Sequence, residues 1–173
     1  MEEGRLDIVV GNWTDPPEQL RSSNLFSDEI VCLVSDTHPY ASRGRLTAGQ
    51  YMNAAHIAST PYSMKQRGFI DTCLTRGRLT RRVVASLPYI NLAPYVIVGS
   101  DMIFTTTRLF AEHYADRLPL KVLPAPIDFP PMRYYQLWHE RSHHSDELRW
   151  LRKLLTGAAG SLCRSAQENT ERV

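Results

Sequence analysis

Apolar and polar positions alternate along the chain in short blocks that predict strands and helices in turn. Short β-branched or apolar runs closed by Gly, Pro or a polar turn predict strands over 6–11, 24–34, 56–59, 81–87, 102–106, 120–123 and 132–139. Apolar residues at helical spacing predict helices over 47–54, 64–75, 89–98 and 107–116, and an amphipathic helix after Ser145. This alternation predicts an α/β sheet with right-handed crossovers.

The two ends of the chain give further predictions. The strand over 6–11 begins almost at Met1. Because a strand needs a neighbour, we expect its partners to belong to a part of the protein that precedes this chain. From Thr156 onward the residues are mostly small and polar, so we expect 157–173 to form a flexible tail.

Composition indicates a globular protein. The chain has 173 residues, of which 43% are hydrophobic and 22% charged. Its apolar runs are shorter than the ~20 residues that a membrane-spanning helix needs, and no signal-peptide pattern follows Met1, so we expect a cytoplasmic location. The three cysteines, Cys32, Cys73 and Cys163, are odd in number and far apart, which suits a reducing compartment. Cys32 lies in an apolar run and is expected to be buried.

Charge gives little support for direct nucleic-acid binding. The formal net charge is +2, and the only loose basic group is Arg76, Arg78, Arg81 and Arg82. These arginines suit either nucleic-acid contact or a solvated connection between a helix and a strand, and we expect the latter because no groove-entering element is found.

No enzyme motif occurs in the sequence. The chain lacks GxxxxGK[ST], GxGxxG, GxSxG and HExxH. The adjacent pair His143 and His144 precedes the last helix and is expected to be solvated surface, because neighbouring residues rarely aim at one metal. We therefore expect no catalysis, no metal and no cofactor.

Four segments together carry a family resemblance: "EEGRLDIVVG", "LFSDEIVCLVSDTHPYAS", "LPYINLAPYVIVGSDMIFTTTRLFAEHYA" and "YYQLWHERSHHSDELRWLRKLL". In this order they resemble the effector-binding domain of LysR-type bacterial transcription regulators over Glu2 to Leu155. The "DEIVCLVSDTHP" and "LWHERSHHSDELRWLRKLL" blocks are most similar to the branch of nodulation and aromatic-degradation regulators.

The resemblance implies a two-lobed fold like that of the type 2 periplasmic binding proteins, with a ligand in the cleft between lobes. Residues 1–30 and 127–156 would form the first lobe, incomplete at its N-terminus, and 31–126 the second. The winged helix-turn-helix of such regulators is missing, so the chain is interpreted as a carboxy-terminal fragment that reaches DNA only through the missing N-terminal domain.

The turn after the predicted strand 56–59 is the first candidate for ligand binding. Ser59, Thr60 and Ser63 supply hydroxyls there, and the amides of a helix starting near Met64 would suit a carboxylate. An ordinary capped turn explains the same residues equally well.

The start of the predicted helix 89–98 is the second candidate. Asn91 lies in its first turn, where the helix dipole would favour an anionic group, and Tyr89 would stack on an aromatic ring. Both residues also suit plain packing. Thr105 and Thr106 end the next strand and would line the same opening, although threonines are also good strand formers.

The resemblance adds Asp28 and Tyr134, which fall on the two crossing strands at positions that face the cleft in aromatic-acid sensors. Such sensors usually carry a basic or small residue at the place of Asp28, which argues against a plain benzoate-like ligand. Arg67 would offset Asp28 as a bidentate carboxylate partner, or lie on the surface.

The sequence and the family resemblance together suggest three functions. The first is a sensor for a small aromatic or carboxylated effector. The second is mainly an assembly module, in which helices 64–75 and 107–116 pair with a second copy, since the resemblance implies dimers or tetramers of the parent regulator. The third, a solute-binding protein of a transporter, would need an export signal.

Overall fold

The computed structural model describes residues 6–13, 20–60 and 68–170, with side chains as far as 162. The chain forms two units, Met1–Asp28 with Met132–Val173, and Glu29–Pro131. These boundaries lie close to residues 30 and 126, but not at them. The first change of unit falls at Glu29, the single residue between two strands that belong to different sheets.

The strands and helices of the described ranges follow the order that the sequence predicts. The strands are β1 (Ile8–Gly11), β2 (Leu20–Asp28), β3 (Ile30–Ser35), β4 (Ala55–Ser59), β5 (Arg82–Leu87), β6 (Met102–Thr107), β7 (Leu120–Pro124) and β8 (Met132–His139). The α-helices are α1 (Ala48–Asn53), α2 (Phe69–Arg76), α3 (Ala93–Ile97), α4 (Arg108–Ala115) and α5 (Asp146–Thr170).

The first unit contains an antiparallel sheet with the order β1-β8-β2. Strand β1 pairs with β8, so the expectation that its partners precede the chain is wrong for this edge. Strand β1 is only partly buried, because Val10 is exposed. A bulge between Asn24 and Phe26 adjusts the register of β2. Beyond this bulge the ring of Phe26 stacks on Tyr134, with centroids 4.6 Å apart.

Helix α5 extends into the segment that the sequence predicts to be a tail. It runs from Asp146 to Thr170, past the expected end near residue 156. Ser145 precedes it and accepts a hydrogen bond from the Leu148 amide at 3.3 Å, as a helix cap does. No proline interrupts 157–170, and Ala159, one turn beyond Leu155, is buried. The apolar stripe of the helix therefore continues where the composition suggested a tail.

The second unit is built on a five-stranded mixed sheet with the order β5-β4-β6-β3-β7. Strand β4 runs parallel to β5 and β6, whereas β3 runs antiparallel to β6 and β7. Its apolar core packs beside α3 and α4 and contains Val31, Leu33, Ile57, Ala93, Ile97, Phe104, Ala111 and Leu120. The α/β class predicted from the sequence is confirmed.

The structure describes part of one predicted helix and divides another. Helix α2 begins at Phe69, with the extended Gly68 at its cap position, and the predicted start near Met64 lies outside the described residues. The predicted helix 89–98 is divided into a 3-10 turn, Ile90–Leu92, and the short α3. Pro94 lies in the first turn of α3, where its missing amide costs no hydrogen bond.

Helix α1 is the clearest case in which hydrogen bonds between neighbouring residues determine where a helix begins. Thr47 accepts a hydrogen bond from the Gln50 amide, and the Gln50 side chain accepts one from the Thr47 amide. This capping box fixes the start of a helix that is too short to be stable alone. It also positions Tyr51, which is fully buried. No helix in the described ranges is long and apolar enough to cross a membrane.

Candidate functional site

The carboxyl ends of three neighbouring parallel strands form one edge of the five-stranded sheet. Ser59 ends β4 and pairs with Leu87 at the end of β5, and the Thr60 amide donates to the Leu87 carbonyl at 2.8 Å. Strand β6 runs parallel to β4 on its other side and ends at Thr107. Such an edge is where α/β sheets hold ligands. We name it the strand-end edge.

Exposed polar groups follow the strands at the strand-end edge. The side chains of Ser59, Thr60 and Asn91 are exposed, and Tyr89 is 67% exposed. Asn91 lies in a 3-10 turn, and α3 behind it has only five residues, so the predicted attraction of an anion by a helix dipole is not supported. Hydroxyl, amide and aromatic contacts remain available.

Thr105 and Thr106 lie side by side in β6 but point to opposite faces of the sheet. Thr106 pairs with Val31 of the apolar core, whereas Thr105 pairs with Cys32. Because neighbouring side chains in a strand alternate, these two cannot present their hydroxyls to one ligand from the same face. Both are buried.

Thr105 belongs to a buried polar cluster on the second face of the sheet. The Tyr51 hydroxyl lies 2.8 Å from the Thr105 hydroxyl. The His56 ring packs edge-on against the Tyr51 ring at 4.5 Å, and its Nε2 lies 2.6 Å from the Tyr51 carbonyl oxygen. We call this set the polar cluster: Cys32, Tyr51, His56, Asp71, Arg81 and Thr105.

Arg81 is the cationic member of the polar cluster and pairs with its acidic member, Asp71. Its side chain is 3% exposed, and its Nε and Nη2 donate to the two carboxylate oxygens of Asp71 at 2.8 and 3.0 Å. Its Nη1 is buried without a hydrogen-bond partner in the part of the chain that the structure describes. The expectation that Arg81 is a solvated connection is therefore wrong, because α2 brings Asp71 against it.

Burial keeps Cys32, Tyr51 and His56 of the polar cluster neutral near pH 7. It raises the pKa of Tyr51 to about 12, with nearby Arg81 opposing the shift, and it raises the pKa of Cys32 to about 12. Burial lowers the pKa of His56 to about 4. None of these groups changes protonation near pH 7, so the cluster can fix hydrogen-bond geometry but is poorly suited to proton transfer.

Two predicted site residues belong to the first unit, and two cannot be placed. Asp28 ends β2 and is buried, while Tyr134 of β8 is half-buried. Tyr134 is the register partner of Phe26, and Asp28 lies two residues after Phe26 in β2. Because side chains alternate between faces along a strand, Asp28 and Tyr134 lie on the same face of the sheet. Ser63 and Arg67 lie outside the described residues.

Sequence reasoning missed Tyr51, His56 and Asp71. No local signal marks Asp71, because its ion pair with Arg81 joins residues ten positions apart that only the packing of α2 brings together. No group of three or more His, Cys, Asp or Glu that could hold a metal occurs within the described residues. His143, expected to be solvated, is half-buried and stacks near Trp138.

Comparison with known proteins identifies the family. The LysR substrate binding domain family matches residues 1–160. The chain belongs to this family. The transcriptional regulator SyrM of Rhizobium meliloti (strain 1021) is 29% identical over 93% of this chain and 49% of that protein. Nodulation protein D 2 of Sinorhizobium fredii (strain NBRC 101917 / NGR234) is 27% identical over 88% and 48%, respectively.

The predicted family and branch are thus confirmed, and the chain spans about half the length of the curated relatives it matches. Among solved structures, a probable transcriptional regulator, PA0477 of Pseudomonas aeruginosa, matches with a TM-score of 0.79 at 29% identity, covering 90% of this chain and 51% of that one.

The effector binding domain of QuiR, solved in complex with shikimate, matches with a TM-score of 0.70 at 13% identity, covering 96% of this chain and 75% of that one. Together these matches confirm the predicted fold class, the two-lobed type 2 periplasmic-binding-protein-like fold.

Proposed function

We propose that this effector-binding domain senses a small aromatic or carboxylated co-inducer in the cleft that the family resemblance implies, and that it thereby controls transcription. The observation that carries the proposal is the strand-end edge, where exposed hydroxyl, amide and phenol groups lie at the ends of three parallel strands. Ligands of α/β folds are held at such edges.

The chemistry of the edge supports a neutral or weakly charged ring that carries hydrogen-bonding groups. Tyr89 can stack on a ring, and the hydroxyls of Ser59 and Thr60 can donate to a carboxylate or accept from a ring hydroxyl. Shikimate, the ligand in the QuiR complex, combines a ring, a carboxylate and hydroxyls. Asp28 and Tyr134 are the first-unit candidates for the same role.

The polar cluster supports this proposal as a fixed base for the end of β6, because it holds Thr105 two residues before that strand ends at Thr107. Thr105 is held by Tyr51, and the Arg81–Asp71 pair ties α2 to the start of β5. A fixed base lowers the conformational cost of ligand binding. In the whole regulator, we propose that this domain acts in the cytoplasm, within a dimer or tetramer, and that a separate N-terminal domain binds DNA.

An assembly role is the second candidate, and one observation favours it. The segment of the 3-10 turn and α3 exposes several apolar side chains: Ile90, Leu92, Tyr95 and Val96. This surface differs from the helices 64–75 and 107–116 that the sequence suggested. Light scattering across protein concentrations tests it, and a monomer at every concentration contradicts it.

Thermal-shift measurements with organic acids, including benzoate and shikimate, test the sensor proposal. We expect at least one acid to raise the Tm. The variants Thr60→Ala and Tyr89→Ala should abolish that rise, and Tyr134→Phe should reduce it. Tyr95→Ala is the matched control, because Tyr95 is similarly exposed but lies on α3. A rise that survives Thr60→Ala and Tyr89→Ala together would disprove the proposed site.

A further inference from the structure

A pocket of about 320 Å³ lies within the first unit, where α5 packs on the face of the three-stranded sheet. Its volume is at the lower end of the range for small-molecule sites. The lining residues come from β2, β8 and α5: Ser23, Gln136, Trp138, Arg149, Arg152, Lys153 and Thr156. We call it the α5 pocket.

Two periodicities of the sequence bring these residues together: the alternation of side chains along a strand and the spacing of three or four residues along a helix. Ser23 is the register partner of Gln136, and Trp138 lies two residues further along β8, so all three share a face of the sheet. Positions 152 and 153 of α5 each lie three or four residues from positions 149 and 156, which places all four on one side of the helix. The pocket is thus built entirely from regular elements.

The α5 pocket is lined by three cations and by no carboxylate. Arg152 lies over the Trp138 ring at 4.7 Å and donates to the carbonyls of Ser142 and His143. Burial and the neighbouring Arg149 lower the pKa of Arg152. Lys153 pairs with no carboxylate among the residues that the structure describes. The pocket therefore favours a negatively charged occupant.

Arg149 is only weakly neutralised by its neighbour on α5. Its Nη1 lies 3.4 Å from a carboxylate oxygen of Asp146, whose side chain is 91% exposed. A solvent-exposed ion pair of this kind is weak, so it neutralises little of the Arg149 charge. Most of the positive charge at the pocket therefore remains available to a ligand.

Gln136 adds an unmet hydrogen-bond acceptor. Gln136 is 3% exposed, and its Oε1 is buried without a partner in the described part of the chain. The Thr156 hydroxyl donates its proton to the Arg152 carbonyl at 2.9 Å, so it can only accept from Gln136, whose Nε2 lies 3.3 Å away. This chain of bonds fixes the amide orientation and leaves Oε1 in need of a donor.

We propose that the α5 pocket is a second ligand site, which takes a small organic anion whose hydroxyl lies next to its negative charge, such as a hydroxycarboxylate. The carboxylate meets Lys153, Arg149 and Arg152, and the hydroxyl donates to Gln136 Oε1 once a small shift of the Gln136 side chain opens this buried atom to the pocket. All the residues belong to the first unit, so the site is independent of the strand-end edge.

Nuclear magnetic resonance titration of the complete 173-residue chain tests the proposal with malate and succinate. The two acids differ only by a hydroxyl, and both are added to tens of millimolar at constant ionic strength. We expect malate to shift the Gln136 side-chain amide and the Trp138 indole signals with saturation. Succinate should bind about five-fold more weakly or worse, because it leaves Gln136 Oε1 unpaired.

Two variants test separately the positive charge of the α5 pocket and its hydrogen-bond acceptor, Gln136. Lys153→Ala should weaken both acids about three-fold or more, whereas Lys121→Ala, an exposed lysine of β7 in the second unit, should weaken neither. Gln136→Leu should remove the preference for malate, and Lys153→Ala remains a test if that variant does not fold. Equal affinity for the two acids, no saturation, or shifts confined to Ser59, Thr60 and Tyr89 would overturn the proposal.

Discussion

The two faces of the five-stranded sheet in the second unit are built on different physical principles. One face packs aliphatic and aromatic side chains, such as Val31, Ile57 and Phe104, beside α3 and α4. The opposite face carries the polar cluster, with Tyr51 from α1 and Asp71 from α2, and its members Cys32, Tyr51, His56 and Thr105 are buried as well. The first face is stabilised by apolar area and tolerates similar shapes, whereas the second depends on every polar group finding its partner.

The contrast explains how the domain can be both stable and suited to a ligand. Apolar packing is non-directional, so it holds α3 and α4 without fixing single atoms. Hydrogen bonds and the Arg81–Asp71 pair fix positions more sharply, at the cost of stability when one partner is lost. We expect the polar face to set the positions of groups at the strand-end edge.

The largest expected effect comes from breaking the ion pair of the polar face. Asp71→Asn leaves the buried Arg81 guanidinium without its carboxylate, and we expect the free energy of unfolding to fall by about 3 kcal/mol. Urea unfolding followed by circular dichroism measures it. The double variant Asp71→Asn with Arg81→Met should recover more than half of the loss, because no uncompensated charge remains.

A loss below about 1 kcal/mol for Asp71→Asn would show that Arg81 is hydrated. The two faces would then differ less than the structure indicates.

The next effect depends on pH and belongs to His56. Burial lowers its pKa in the folded state to about 4, from an ordinary value of 6.5. The unfolded state therefore binds the proton first as pH falls, so stability is complete above pH 6.5 and is lost progressively towards pH 4. The loss should be on the order of 2–3 kcal/mol at pH 4, compared with pH 7.

Urea unfolding at several pH values checks the contribution of His56. The variant His56→Gln should lose this part of the pH slope. Tyr51→Phe is the control, because it disturbs the same cluster but keeps the imidazole. A pH slope in His56→Gln equal to that of the unchanged chain would contradict the assignment.

The smallest effect is expected on the apolar face. Ile97→Val removes one methylene from the core beside α3 and should lower the free energy of unfolding by about 1 kcal/mol. The loss should be the same at pH 5 and pH 7, since no titrating group of the cluster is disturbed. A pH-dependent loss would mean that the two faces are coupled through the sheet.

Most of the fold follows from local pattern. β-branched runs bounded by Pro and Gly located the strands, because such runs fit a half-buried or buried pleated surface. The predicted helix 47–54 was also correct to within one residue at each end, since the Thr47 cap that starts α1 is a local interaction. Helix α5 was predicted too short, because its small polar residues suggested a tail although they include good helix formers and an apolar stripe.

The candidate site was harder to predict, because its geometry depends on residues far apart in sequence. Ser59, Thr60 and Tyr89 fall at the strand-end edge as expected, although their role stays a proposal. Thr105 and Thr106 were treated as one group, but the strand separates them onto two faces. Arg81 was interpreted as a surface arginine, since nothing local reveals that a helix carries Asp71 to it.

The buried thiol of Cys32 can be used to detect local opening of the five-stranded sheet in the second unit. Cys32 is fully buried in the central part of β3, and burial raises its pKa to about 12, so thiolate-specific reagents cannot react with it in the closed state. Any slow modification of Cys32 must pass through an opening of the sheet. The rate at which a thiol reagent modifies Cys32 therefore gives the frequency of such openings, and no cysteine has to be introduced for the measurement.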